Sequence, residues 1–153
     1  MPNWGKVDFK DWERLNNKLK RLEKVDLDKF CRDVSKELAA RLLSHLIKRT
    51  PVAENTKTHK GGTLRRGWTG GVQGGASAYA AGCKVRHVGD TYQILLMNPV
   101  EYGIYVNYGH RTVDHKGWVP GKYFVELAVD EVEQGVERII EKKLDIILKG
   151  LLA

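Results

Sequence analysis

The sequence predicts an α+β fold, in which a small antiparallel β-sheet packs with two N-terminal helices and a long C-terminal helix. Apolar residues recur at helical spacing near both ends of the chain, and two short strand-like runs around a tight turn lie between them. The chain has 153 residues, of which 42% are hydrophobic, and this is enough for one core. We therefore expect a single domain over residues 1–153.

The N-terminal third of the chain predicts two helices. The first covers residues 8–24, with an apolar stripe on an otherwise charged segment, formed by Phe9, Trp12, Leu15, Leu19 and Leu22. Asp26 is the expected N-cap of the second helix, and Pro51 ends it. The second helix is expected to bury one face, formed by Leu27, Phe30, Val34, Leu38, Leu42 and Leu46.

The middle of the chain predicts a loop followed by strands. Residues 51–66 are polar and contain glycine, and we interpret them as a mobile basic loop. The segment "LRRGWTGGV" predicts a weak strand, and "QGGASAYAAG" a glycine- and alanine-rich connection. Two better strands follow around the turn "VGDT", with apolar residues from Val85 to Val88 and from Tyr92 to Met97.

The C-terminal third begins after Pro99. The segment "VEYGIYVNYG" predicts a short helix closed by Gly109, although its composition also allows a strand. "HRTVDHKGWVPG" is expected to be a loop, and one long helix is expected over residues 122–152. Its acidic residues lie early and its lysines late, in agreement with the helix dipole.

Bulk properties limit the class of protein. No apolar run is long enough to span a membrane, and the N-terminus has no signal-peptide pattern, so we expect a cytoplasmic protein. Two cysteines do not form a disulfide framework. Residues 1–66 hold 17 Lys and Arg against 9 Asp and Glu, whereas the remainder holds 9 against 10. The excess positive charge therefore lies in the N-terminal part. It indicates either contact with nucleic acid or an acidic protein, or a helix face whose lysines and arginines are solvated.

Catalytic and metal-binding motifs are weak. The sequence has no Gly-x-Ser-x-Gly, His-Glu-x-x-His or phosphate loop, and we expect no enzyme activity and no cofactor. The best metal hypothesis is a structural zinc site formed by Cys83, His87, His110 and His115. These spacings lack a C-x2-C turn, so ordinary loop and strand residues are the simpler interpretation.

Nucleic-acid binding is the main alternative function. A basic loop beside an aromatic residue can contact phosphates and stack on a base. The candidate contacts to DNA or to an acidic partner are Lys57, Lys60, Arg65, Arg66 and Trp68. No helix-turn-helix or RNA-recognition signature accompanies them.

Four short elements occur in an order that resembles a known family. They are "TPV" at Thr50 to Val52, "GTLRRGW" at Gly62 to Trp68, "YGIYVNYG" at Tyr102 to Gly109, and "PGKYF" at Pro120 to Phe124. Together they resemble the HK97-type neck or tail-completion (head–tail joining) proteins of long-tailed bacteriophages. Two features depart from that pattern: residues 53–63 lengthen the segment before Leu64, and Asn107 stands where the family often has glutamate.

The resemblance implies a noncatalytic virion protein of the head–tail junction or tail end, which assembles as a ring. Its partners would be other copies of itself and other phage head–tail or tail proteins, with possible nonspecific contact to packaged DNA. Its location would be the virion, and the host cytoplasm during assembly. Tyr, Trp and Arg are favoured at interfaces. The residues expected to contact a neighbouring subunit are Tyr102, Tyr105, Asn107, Tyr108, Gly109, His110, Arg111, Trp118 and Pro120.

Overall fold

The computed structural model describes residues 10–23, 26–57 and 60–153. Within these ranges it contains seven helices and two separate two-stranded antiparallel sheets. The helices are α1 (Lys10–Glu23), α2 (Leu27–Arg49), α3 (Thr63–Gly67), α4 (Gly75–Gly82), α5 (Gly103–Tyr108), α6 (Phe124–Glu133) and α7 (Val136–Leu152). The strands are β1 (Arg86–Val88), β2 (Thr91–Gln93), β3 (Gly109–Arg111) and β4 (Trp118–Pro120). The predicted α+β class is confirmed.

The two N-terminal helices form as predicted. The outermost predicted residues of the first helix, among them Phe9 and Lys24, lie outside the described residues. Asp26 caps α2, because its side chain accepts a hydrogen bond from the Lys29 N–H at 3.0 Å. Thr50 is extended and ends the helix directly before Pro51.

Helix α2 is the centre of the core and is covered on two sides. Helix α4 packs on one side and α6 on another, so that Ala39 and Leu43 are buried in addition to the predicted face. The prediction of one buried face is wrong at Leu27, which is 68% exposed at the start of the helix. A helix enclosed by neighbours shows little amphipathic contrast, and this is why one stripe described it incompletely.

Two short helices, α3 and α4, stand where the sequence predicted a weak strand and a connection, and this corrects that prediction. In α3, Leu64 is buried, and Trp68 follows it into the core. Helix α4 is rich in alanine, with Ala80 1% exposed against the core cluster. Alanine favours helix and permits close packing, and this outweighed the flanking glycines.

The predicted hairpin around "VGDT" is confirmed, with Val88 paired to Thr91 and Arg86 paired to Gln93. Its hydrogen-bonded ladder is shorter than predicted and ends at Gln93. Half-buried and exposed residues nevertheless alternate from Thr91 to Val100, as they do in a strand.

Two corrections apply to the C-terminal part. The predicted loop after Gly109 contains a second hairpin, in which His110 pairs with Val119 and Arg111 with Trp118. The predicted single helix is two helices, since Gly135 separates α6 from α7. No helix in the described ranges is both long and apolar enough to cross a bilayer.

Candidate interaction surface

Helix α5, strand β4 and the residues that precede α5 and α6 carry a set of large exposed side chains. We name this set the aromatic surface and define it by Tyr102, Ile104, Tyr105, Tyr108, Trp118 and Tyr123. Each of these side chains is between 45% and 63% exposed. Exposed apolar patches of this kind mark sites of contact with other macromolecules.

Backbone turns hold the aromatic surface in place. Gly109 has a φ of 91°, and a Cβ there would lie 2.5 Å from the carbonyl oxygen of Val119. Only glycine therefore lets the chain leave α5 and enter the hairpin at this point. Gly121 is constrained by steric contact alone, because a Cβ there would lie 2.2 Å from the carbonyl oxygen of Asn107.

Ring contacts order several of the exposed side chains. Tyr108 meets Tyr123 edge to face, with ring centroids 6.3 Å apart, and Tyr105 meets His110 in the same way at 6.4 Å. Such pairs limit side-chain freedom before any partner binds. The surface is thus partly preorganised, and this lowers the entropy cost of forming an interface.

Asn107 lies beneath this surface, and the prediction that it contacts a neighbour is corrected. It is 3% exposed, and its amide nitrogen donates to Glu126 at 2.8 and 3.1 Å. Its side-chain oxygen accepts from the Val125 N–H at 3.1 Å, and its carbonyl accepts from the Tyr123 N–H. Asn107 therefore fixes the start of α6 under the exposed tyrosines. Gly109 is buried as well and acts through its backbone.

Glu126 and Tyr108 influence each other's protonation. Partial burial acts to raise the pKa of Glu126, but hydrogen bonds from Asn107, from the backbone and from Tyr108 outweigh it, and the pKa is lowered. The hydrogen bond to Glu126 raises the pKa of the Tyr108 hydroxyl. Tyr108 therefore remains a neutral hydrogen-bond donor at neutral pH.

Of the basic residues predicted to contact DNA or an acidic partner, some are exposed and one forms hydrogen bonds within the fold. Lys57, Lys60 and Arg66 are exposed. Arg65 instead donates from its guanidinium to the Thr50 carbonyl, at 2.8 and 3.2 Å. Arg65 and Arg66 lie on α3, so the irregular part of the loop ends before Thr63.

The prediction that Trp68 contacts DNA is corrected. Its side chain is 8% exposed within the core, and its indole N–H donates to the Thr50 hydroxyl at 2.8 Å. A base cannot stack on a ring that the protein already covers.

The residues of the zinc hypothesis have separate environments. Cys83 donates to the Tyr79 carbonyl, His87 stacks on Tyr92 at 4.1 Å, and His110 lies against Tyr105. Across residues 10–23, 26–57 and 60–153, no group of three or more His, Cys, Asp or Glu could hold a metal ion.

Comparison with protein families matches residues 13–109 to the family described as "Bacteriophage HK97-gp10, putative tail-component". The match covers more than half of the chain. The protein belongs to this phage tail-component family. No curated protein and no solved structure matches the chain.

The matched region of this HK97-gp10 family member extends from α1 to the end of α5. It includes three of the four elements noted in the sequence, while the element at Pro120 to Phe124 follows it. Within the match, Thr50 is in contact with Arg65 and Trp68, so the first two elements are joined by hydrogen bonds. The third element supplies most of the aromatic surface.

Sequence reasoning missed several exposed residues of this region. Ile104 is 63% exposed and Tyr123 is 51% exposed, and both lie beside predicted interface residues. The positive φ of Tyr123, at 47°, is what turns its ring outwards before α6, and the sequence does not show this conformation.

Proposed function

We propose that this protein is a noncatalytic structural component of the phage head–tail junction or tail end, and that it acts there as a ring. The aromatic surface on a member of a phage tail-component family is the observation that supports this most directly. Several ordered aromatic side chains at 45–60% exposure are suited to burial between protein subunits.

The same proposal states that the protein has no catalytic activity. The groove beside the aromatic surface, about 340 Å³ in volume, is lined mainly by apolar residues. Asn98 and Asn107, two of its polar residues, already form hydrogen bonds within the chain, to Leu64 and to Glu126. This is typical of a packing surface, since reactive sites need polar groups that converge on a substrate.

A ring needs two different surfaces on each subunit, because a cyclic assembly with more than two members has heterologous contacts. The aromatic surface would provide one of them. The proposed partners are further copies of this chain and other phage head–tail or tail proteins, and the proposed location is the virion.

The exposed basic residues have a role in this arrangement. Lys57, Lys60 and Arg66 would face the lumen through which DNA passes, or an acidic neighbouring ring. A free nucleic-acid-binding module is less well supported, because Trp68 and Arg65 are used inside the fold.

Three measurements test the proposal. Mass spectrometry of purified virions should detect the chain, and deletion of its gene should leave unjoined heads and tails or incomplete tails in electron micrographs. Light scattering at low and high salt should show an oligomer that survives high salt, because buried aromatic contacts are weakly screened. Normal, infectious particles without the chain would contradict the structural role.

A further inference from the structure

Residues 94–97 form an open strand edge next to the first hairpin. No backbone hydrogen bond joins them to another part of the chain that the structure describes. Ile94 and Leu96 pack against the core, whereas Leu95 is 74% exposed and Met97 is 64% exposed. The segment has the alternation of a strand and outward apolar side chains, but no neighbouring strand.

The register of the β1–β2 hairpin shows which edge is open. The turn at Gly89 and Asp90 makes Val88–Thr91 and Arg86–Gln93 the hydrogen-bonded pairs. The backbone N–H and C=O groups of Tyr92 therefore point away from β1. Because these groups change side at each residue of a strand, those of Ile94 and Leu96 point in the same direction as those of Tyr92. A groove of about 440 Å³ opens beside this segment, with Leu38, Leu42 and Val132 in its lining.

The β3–β4 hairpin is a second incomplete sheet. Its two strands pair only with each other. Because the Thr112 N–H donates to the Gly117 carbonyl, the pairing pattern leaves the backbone groups of Arg111 and Trp118 on the outer edges. Strand β4 ends in Pro120, which has no N–H, so β3 has the better edge for pairing.

The chain segments that contain the two edges are complementary in charge. Residues 90–101 include Asp90 and Glu101 and no Lys or Arg, a net charge of −2. Residues 109–122 hold three basic residues, Arg111, Lys116 and Lys122, against one acidic residue, and their net charge is +2. Within the described ranges, none of these five named residues forms an ion pair.

The hairpin and the open strand edge also both expose apolar side chains. The hairpin exposes Val113 completely, at 99%, together with Trp118 at 60% and Val119 at 40%. The open edge exposes Leu95 and Met97. An added strand would bury both sets and satisfy the free backbone groups at the same time.

We propose that strand β3 of one copy pairs with residues 94–97 of a second copy and so joins neighbouring subunits by β-sheet addition. The contact uses two different surfaces of the same chain, as a closed ring requires. This inference rests on the proposed function and specifies the partner and the contact.

A charge exchange between two variants of the full chain tests the pairing. The edge variant carries Leu95→Lys and Met97→Lys, and the hairpin variant carries Arg111→Glu and Lys116→Glu. All four side chains are exposed, so both variants should fold, and circular dichroism with thermal unfolding verifies this. Val72→Lys is the matched control, because it places a lysine at another exposed apolar residue, 49% exposed and distant in sequence from both edges.

The masses from light scattering decide the outcome. The unsubstituted chain and the Val72→Lys control should oligomerise, whereas each charge variant alone should have the mass of a single chain, because like charges then face each other. An equal mixture of the two variants should recover the oligomer, since the added lysines of one variant can then face the added glutamates of the other.

Three results would overturn the pairing. They are unchanged association of either variant, failure of the mixture to recover the oligomer, and an unsubstituted chain that stays monomeric at every concentration. The first two results would overturn only the pairing, whereas a monomer at every concentration would also count against the ring. The tail role itself is tested separately, by the presence of the chain in virions. The two proposals can therefore fail independently.

Discussion

The indole N–H of Trp68 donates to the hydroxyl of Thr50 at 2.8 Å, and both side chains are buried. The same hydroxyl donates to the Leu46 carbonyl at 2.5 Å, and the Thr50 carbonyl accepts from Arg65. The end of α2 is thereby fixed to α3 across the basic loop. These contacts join the two sequence elements "TPV" and "GTLRRGW" within the fold.

Thr50→Val should destabilise the protein without changing the shape of the core. The substitution leaves the buried Trp68 N–H without its acceptor, and an unsatisfied buried group costs about 1–3 kcal/mol. Equilibrium denaturation in urea should show this loss in the free energy of unfolding. Thr50→Ser is the control, since it retains the hydroxyl. Equal stability of the Val and Ser variants would show that the hydrogen bond contributes little.

Gly109→Ala should disturb the junction between α5 and the second hairpin. The positive φ and the short distance to the Val119 carbonyl oxygen both oppose a side chain there. We expect a loss of about 1–3 kcal/mol in the free energy of unfolding, the cost of a non-glycine residue in a sparsely populated backbone region.

Gly82→Ala provides the comparison for Gly109→Ala. Nothing lies within 4 Å of a Cβ at Gly82, which is at the end of α4. Alanine there should be neutral or stabilise by up to about 1 kcal/mol. Similar losses at the two glycines would contradict the steric argument.

The sequence predicted the long-range organisation better than the local structure of the middle segment. Helical periodicity and the Asp26 cap identified α1 and α2, and the turn "VGDT" identified the first hairpin. The glycines around α4 concealed a helix that is stabilised by packing on α2. The second hairpin was missed because its strands are three residues long and interrupted by polar turn residues, a pattern that sequence alone cannot distinguish from a loop.

The candidate surface was only partly predictable for a related reason. Tyr102, Tyr105 and Tyr108 were identified from composition and from the family resemblance, and they are exposed. Asn107 belongs to the same sequence element but points into the fold. The direction of a side chain at the end of a short helix depends on the next element, here the Gly109 turn and the start of α6.

Glu131 should give the protein a pH-dependent component of stability. Its hydrogen bond from Arg49, with a further contribution from His45, lowers the pKa of Glu131 from 4.5 to about 2. A lowered carboxylate pKa contributes stability that is present above pH 4.5 and is lost as the pH falls towards 2.

Glu131→Gln removes this titration. Thermal unfolding should show the variant less stable than the unsubstituted chain at pH 6, with the difference decreasing below pH 4.5 as the wild-type carboxylate becomes protonated. Glu133→Gln, an exposed change on the same helix, is the control. A difference that is constant from pH 6 to about 2 would show that the Arg49 contact does not shift this pKa.

The basic residues should determine any affinity for DNA. Changing Lys57, Lys60 and Arg66 to glutamine should weaken binding to duplex DNA and reduce the salt dependence by about 0.9 in slope for each phosphate that is no longer neutralised. The control changes Arg138, Lys142 and Lys149 on α7, which removes the same charge elsewhere. Fluorescence anisotropy over a salt series measures the affinity and its salt dependence for each triple variant. Equally weakened binding in the two triple variants would indicate that only net charge matters.

Asn107→Asp should create a conflict beneath the aromatic surface. The Asn107 amide nitrogen lies 2.8 and 3.1 Å from the two carboxylate oxygens of Glu126, so the substitution replaces a donor with a second acidic group. Two carboxylates in one site raise the pKa of at least one of them. A raised carboxylate pKa costs stability above that pKa, and the cost disappears as the pH falls through it.

The Asn107→Asp variant should therefore lose about 1–3 kcal/mol in the free energy of unfolding at pH 7, as expected for a broken buried hydrogen bond. The loss should decrease towards pH 4, where a shared proton restores a donor between the two groups. Urea denaturation at both pH values measures this, with the exposed Asn17→Asp as control. Recovery at low pH would identify the Asn107–Glu126 contact as the reason why a carboxylate is unfavourable at this position, whereas a loss that does not depend on pH would attribute the effect to packing alone.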